Sequence, residues 1–357
     1  MAPMHSVAAE TCRWAAYKNQ KRSRAMNETG FPTPEILDTL DWEGLKYVTV
    51  KAALELDVFN IIAEGHHTVE EIANGAKASV RGMEILLNAL CPLGFLTKSN
   101  RRYELTPMSD TYLAKGNPSY LASVYLVWWQ SRERLVECVR KGCAVWNISE
   151  EENQDLWAMY ASQELVTWPQ AIEKSKQTWG SIGIDSSVTP GLNILDVAGG
   201  TGSKSFVLAQ VDPSVRVTVI DFPKVLQVSA QIAEKMGVSR QVSYLPGDIT
   251  EIEFPIEKFG LVNFGAILYY FNADQVKGIF EKAYRALQEN GILTIHTLIA
   301  DEERCQSLAP LLIAIEFLHD AKYSHIYTFS EYKQYLESVN FTDVTQIGEN
   351  LIRAMKM

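Results

Sequence analysis

The stretch Ile194-Leu-Asp-Val-Ala-Gly-Gly-Thr-Gly-Ser203 decides how the second half of this chain is read. It opens as an apolar run, turns through three glycines and leads into a helix predicted over Ser203–Val211. A buried strand over 192–197 that ends in such a turn and feeds a helix is the start of a parallel βαβ unit. Glycines there let a ligand approach the main chain closely. The helix behind them offers free N–H groups and the positive end of its dipole, which suits a carboxylate or a phosphate.

Working outward, the alternation continues. Strands are predicted over 215–220, 242–245, 259–268 and 291–299, with helices over 223–236 and 273–287. That order implies an α/β fold with a Rossmann-like, doubly wound parallel sheet. Its ligand belongs at the C-terminal ends of the strands. Asp221, at the second strand end, can accept hydrogen bonds from both hydroxyls of a ribose. Asp248, following Gly247 at the third, can accept one from an adenine amino group. A dinucleotide loop wants G-x-G-x-x-G, and Gly200-Thr-Gly202-Ser-Lys-Ser205 lacks the third glycine. The leading Asp196, the double glycine and Gly247-Asp248 favour S-adenosyl-L-methionine instead.

Upstream, residues 1–38 read as a flexible leader with a basic run over 18–24. Residues 39–112 are mostly helical. Thr68-Val-Glu-Glu71 is a capping box. A helix is expected over 80–93 with Gly94 as its cap, followed by a hairpin from 95–97 and 103–105. Helices and then a hairpin make a winged-helix outline. The helix after Ala78 carries only Arg81 as a cation, so insertion into a DNA groove is poorly supported. Residues 113–185 are helical and aromatic, with Trp128, Trp129, Trp146, Trp157, Trp168 and Trp179 among them. Two readings stand for them: core and dimer packing, or, for some of them, the wall of a pocket for a planar or apolar ligand. Residues 186–357 form the cofactor domain.

Composition sets the outer bounds. The 357 residues carry 33 Lys+Arg against 43 Asp+Glu, a net charge of −10, which argues against a nucleic-acid binder. The 47% hydrophobic content is too high for a disordered chain. The five cysteines form no CxxC pair, so no zinc ribbon or disulfide scaffold is indicated, and a reducing, cytoplasmic setting fits. No apolar run reaches the roughly 18 residues of a membrane span. No converging metal-ligand set is expected.

The motifs 194–203, Val219-Ile-Asp-Phe-Pro223 and Leu245-Pro-Gly-Asp248 resemble those of class I S-adenosylmethionine-dependent methyltransferases. The chain from about residue 40 onward is similar to the cation-independent O-methyltransferase family, which includes caffeic acid enzymes. The resemblance implies an N-terminal winged-helix-like dimerisation domain and a homodimer acting on a small molecule. It implies Gly199, Gly200 and Gly202 against the methionine part, Asp221 with Phe222 at the ribose, and Asp248, Ile249 and Phe271 near adenine. Ala198 stands where the family usually has glycine. Trp128, Trp129, Met159, Tyr270 and Phe317 are the candidates for the substrate wall.

The chain also departs from that pattern. Where plant-type members have a catalytic histidine after the fourth strand, Leu268-Tyr-Tyr-Phe271 places Tyr269. Thr297 and Ile326 stand for two supporting glutamates. Tyrosine, with an ordinary pKa near ~10, is a poor base at neutral pH. It can orient an acceptor, with His319 as the candidate base and His296 and His325 as further histidines. The same Leu-Tyr pattern resembles bacteriochlorophyllide C-20 methyltransferases, which methylate a ring carbon. The expected function is O- or C-methylation of an aromatic or apolar metabolite in specialised metabolism. The alternative is a non-methylating rearrangement or cyclisation on the same fold.

Overall fold

The computed structural model describes residues 35–117, 119–145, 150–181, 191–320, 323 and 325–357. The predicted leader therefore lies almost wholly outside the described residues, as does Trp146. Side chains over 163–171, including Trp168, also lie outside them. Two compact units divide at Gln130 and Ser131.

In the first unit, four helices precede a hairpin: α1 (Glu35–Glu55), α2 (Val58–Ala63), α3 (Val69–Gly75) and α4 (Val80–Leu90). The antiparallel strands are β1 (Leu96–Ser99) and β2 (Arg102–Leu105), followed by α5 (Pro107–Leu113) and α6 (Ala122–Arg132). The capping box at α3 is present: Thr68 accepts from the Glu71 N–H, and the Glu71 carboxylate accepts from the Thr68 and His67 N–H groups. Those bonds hold the Glu71 pKa down at about 2. The helix expected to reach residue 93 stops at Leu90. Gly94, at φ +82°, turns the chain into β1 rather than capping the helix. Phe59, Ile72, Met83, Leu87 and Tyr103 form the core. α1 leaves Ile36, Leu37, Leu40, Trp42, Leu45 and Val48 exposed.

The second unit opens with α7 (Leu135–Lys141) and α8 (Glu150–Ser181). The alternating segment follows as β3 (Asn193–Val197), α9 (Ser203–Val211), β4 (Arg216–Asp221), α10 (Pro223–Met236), β5 (Val242–Pro246), β6 (Phe259–Gly265), α11 (Ala273–Ala286) and β7 (Leu287–His296). α12 (Leu308–Asp320), α13 (Phe329–Ser338), β8 (Thr342–Ile347) and β9 (Leu351–Met355) complete it. The sheet order is β5-β4-β3-β6-β7-β9-β8. The first five strands are parallel, and β9 and β8 add an antiparallel edge that the sequence pattern did not indicate. Successive residues of a strand face opposite sides. Ile194, Val217 and Leu261 pack under α9 and α10, while Leu195, Val262 and Phe264 pack under α11 and α13. Both faces are covered, which is why Ile194 and Leu195, neighbours that face opposite sides of β3, are both apolar.

Candidate active site

The glycine loop joins β3 to α9 at the point where the sheet order reverses. Gly200 (φ +58°) and Gly202 (φ +73°) adopt left-handed backbone, and a Cβ at Gly202 would meet the Phe206 ring at 2.4 Å. A Cβ at Gly199 would lie 2.9 Å from the Asp196 carboxyl carbon. Gly200 has nothing within 4 Å in front of it, so this is where a ligand can reach the backbone. Ala198 shares the left-handed conformation at φ +50°, which is strained for a residue with a Cβ.

Behind the loop runs a buried polar chain across three strands. Asn263 donates to Asp196 Oδ1 at 2.8 Å, and Thr294 donates to Asn263 Oδ1 at 3.0 Å. The asparagine inside the apolar run of β6 was the sequence signal for this chain, and the sequence reading missed it.

At the end of β4, Asp221 accepts from the Gly200 N–H through Oδ2 and from the Phe222 N–H through Oδ1, each at 2.8 Å. Burial pushes its pKa up to about 6, against the pull of these two bonds, and the charge of Asp196 adds to the rise. A buried carboxylate so raised has capacity for further hydrogen-bond donors. Phe222 caps α10 and packs with Trp157 and Ala158.

Past β5, Asp248 Oδ1 accepts from both the N–H and the hydroxyl of Thr250 at 2.7 Å. Its other oxygen has no partner among the described residues. The Ile249 side chain is buried in the core. Lys282 on α11 donates to the carbonyls of Ile249, Thr250 and Ile252 at 3.2, 2.8 and 2.8 Å, pinning this loop from below. Phe271 is half-buried on the same core, and its carbonyl accepts from the Tyr327 hydroxyl.

Beyond the strand ends lies an aromatic cluster. The strand expected to run to residue 268 ends at Gly265, and Ala266, at φ +58°, turns it into a short 3-10 helix over Leu268–Tyr270. Tyr269 stacks on Phe317 with centroids 4.1 Å apart and planes 16° apart. Tyr270 meets Phe317, Tyr269 and Trp157, each at 4.9 Å. Met159 lies two residues on from Trp157 along α8 and is half-buried. Trp128 and Trp129 belong with the other unit's aromatic residues: both meet Tyr125, and Trp129 also meets Tyr47.

Comparison with known proteins agrees with this geometry. Residues 45–115 match the O-methyltransferase dimerisation domain, and residues 188–337 match a methyltransferase domain. The chain is an S-adenosylmethionine-dependent methyltransferase. It is 23% identical to the tetracenomycin polyketide synthesis 8-O-methyl transferase of Streptomyces glaucescens, covering 82% of this chain and 87% of the relative. It is 24% identical to the L-tyrosine C(3)-methyltransferase of Streptomyces lavendulae, over 86% and 88%. Human N-acetylserotonin methyltransferase, solved with S-adenosylmethionine, shares the fold at a TM-score of 0.69 and 21% identity, over 93% of this chain and 99% of that one.

Tyr269 is buried, and loss of water raises its phenol above its ordinary pKa. Ile326 packs against it in the same cluster, and Thr297 is buried, so none of the three positions holds a carboxylate. His319 lies two residues beyond Phe317, about 200° round the helix at 3.6 residues per turn. It therefore faces away from the stack that Phe317 makes with Tyr269. Its Nε2 is 3.6 Å from Glu316, which Arg132 in turn grips at 2.6 Å. The structure thus does not bring His319 and Tyr269 together on one face of α12. His325 donates its backbone N–H to the Tyr269 carbonyl, while its ring meets Arg304 and Glu331. No group of three or more potential ligands that could hold a metal occurs among the described residues.

Proposed function

We propose that this methyltransferase methylates an oxygen or carbon of a small aromatic or apolar metabolite of specialised metabolism. The observation that carries the reading is the stacked Tyr269–Phe317 pair with Tyr270 and Trp157 beside it. Together they make a planar, apolar wall at the strand ends. The names of the relatives, a polyketide 8-O-methyl transferase and a tyrosine C(3)-methyltransferase, support both acceptor types.

S-adenosylmethionine, when bound, supplies an activated methyl group on sulfur. The residues that fit it are Gly199, Gly200 and Gly202 at the methionine part, Asp221 at the ribose, and Asp248 with Ile249 and Phe271 at the adenine. Tyr269 and Phe317, stacked on each other, present an aromatic face with Tyr270 and Trp157 that orients the acceptor ring and excludes water. Orientation of this kind is the main lever in a displacement whose acceptor is already nucleophilic. Tyr269 is not the base: its phenol is held protonated. The acceptor is therefore a phenol or enol acidic enough to ionise by itself, or an electron-rich ring carbon. Homodimerisation through the N-terminal unit and cytoplasmic residence complete the reading. No helix among the described residues is long and apolar enough to cross a membrane.

A series of phenols of graded acidity tests this. Near neutral pH, kcat/KM is expected to rise as the phenol becomes more acidic, until the acceptor is mostly ionised. Equal turnover of weakly and strongly acidic phenols would indicate a protein base and contradict the proposal.

A further inference from the structure

Lys204 stands where electrostatics disfavour a cation. It is the second residue of α9, so its charge shares the helix N-terminus with the positive end of the peptide dipoles. Its side chain crosses to the end of β6, where Nζ lies 3.1 Å from the point that a Cβ on Gly265 would occupy. Gly265 ends β6 and the glycine loop follows β3, adjacent strands at which the sheet order reverses. That crevice is where open α/β sheets hold ligands.

Among the described residues no side chain neutralises this charge. Lys204 is half-buried, and no acidic side chain pairs with it among the described residues. His296, paired with Gly265 across β6 and β7, stays uncharged because burial and Lys204 push its pKa down to about 3. Its Nε2 is buried without a hydrogen-bond partner. Trp179 fixes the corner, donating to the Lys204 carbonyl at 2.6 Å and meeting the His296 ring edge-on at 5.2 Å. A cation held at a helix N-terminus without a counter-ion calls for an anionic ligand.

We propose that Lys204 is the counter-ion of the α-carboxylate of the cofactor's methionine part. The inference rests on the assignment of the glycine loop to S-adenosylmethionine. Lys204 lies in the first turn after that loop, whereas the acceptor wall is built from the 268–270 turn and α12. Gly265 leaves the room that the lysine side chain fills.

Calorimetric titration of the full chain with two ligands tests the assignment. S-adenosylhomocysteine carries the amino-acid part, and 5′-methylthioadenosine lacks it. Lys204→Met is expected to weaken S-adenosylhomocysteine roughly 10- to 100-fold, the range for losing a hydrogen bond to a charged group. It leaves 5′-methylthioadenosine within about twofold, since that ligand makes no such bond. Lys204→Arg keeps most of the affinity, and the thermal midpoint of the ligand-free Met variant does not fall. Equal weakening of both ligands would make Lys204 a structural residue and overturn the proposal. Unchanged S-adenosylhomocysteine binding with a raised acceptor KM would place the anion on the acceptor and overturn it as well. Binding of 5′-methylthioadenosine to the unaltered chain tests the cofactor assignment by itself.

Discussion

Asp221 shows how one residue trades stability for binding. Its ordinary pKa of 3.8 is raised to about 6 by burial, so the protonated form favours the cofactor-free fold. The rise is worth roughly 3 kcal/mol of stability. That contribution is fully present below the unfolded value and is lost as pH rises through about 6. The proposed contact to the ribose needs the opposite state, a carboxylate that accepts hydrogen bonds. Affinity for S-adenosylhomocysteine is therefore expected to fall between pH 7.5 and pH 5, and calorimetry at the two values reads it. An unchanged affinity would contradict the assignment. Ala198 is the second case. Its φ of +50° costs a residue with a Cβ about 1 kcal/mol. Ala198→Gly is expected to recover most of that, seen as a higher unfolding midpoint in denaturant. Tyr269→Phe keeps the stacking surface on Phe317 and removes only the hydroxyl. Its pH–rate profile is expected to keep the wild-type shape, since the phenol takes no proton in the reaction.

At the scale of elements, Lys282 links α11 to the loop after β5. It satisfies three carbonyls of the turn that carries Asp248. Lys282→Met leaves those carbonyls without a partner and is expected to cost about 1–3 kcal/mol. Hydrogen exchange over 248–252 should speed up while exchange in β3 and β4 stays slow. Uniformly faster exchange would mean that the lysine serves the whole fold and not this loop. Much of this architecture was legible in sequence. Ser203–Val211 and Pro223–Met236 are helices over the predicted residues, because a glycine turn and a proline at the first helical position punctuate them. Asp196, Asp221 and Asp248 were legible because acids at successive strand ends have few structural reasons to be there. What stayed hidden depends on long-range pairing. The β8–β9 edge depends on pairing with β7. The Asp196–Asn263–Thr294 chain joins residues 67 and 31 positions apart in sequence. The direction of His319 followed from which face of α12 meets Tyr269, and a histidine beside an apolar run does not announce its face.

At the scale of the whole molecule, the two units divide the tasks. The first ends at Gln130 and carries an exposed apolar face on α1, with Leu40 61% and Trp42 67% exposed. Residues 45–115 match a dimerisation domain, and an exposed face of this kind seeks a partner surface. The double substitution Leu40→Glu, Trp42→Glu is expected to convert a dimer to a monomer in sedimentation velocity, and a variant that stays dimeric would move the interface elsewhere. The second unit holds the cofactor loop, the strand-end acids and the aromatic wall. The reaction proposed for it is methyl transfer without a histidine base. The most direct test incubates the purified chain with trideuteromethyl S-adenosylmethionine and an acidic aromatic acceptor, followed by mass spectrometry. A product bearing the labelled methyl group and an equal amount of S-adenosylhomocysteine are expected. An acceptor converted while S-adenosylmethionine remains unconsumed would contradict the proposed reaction.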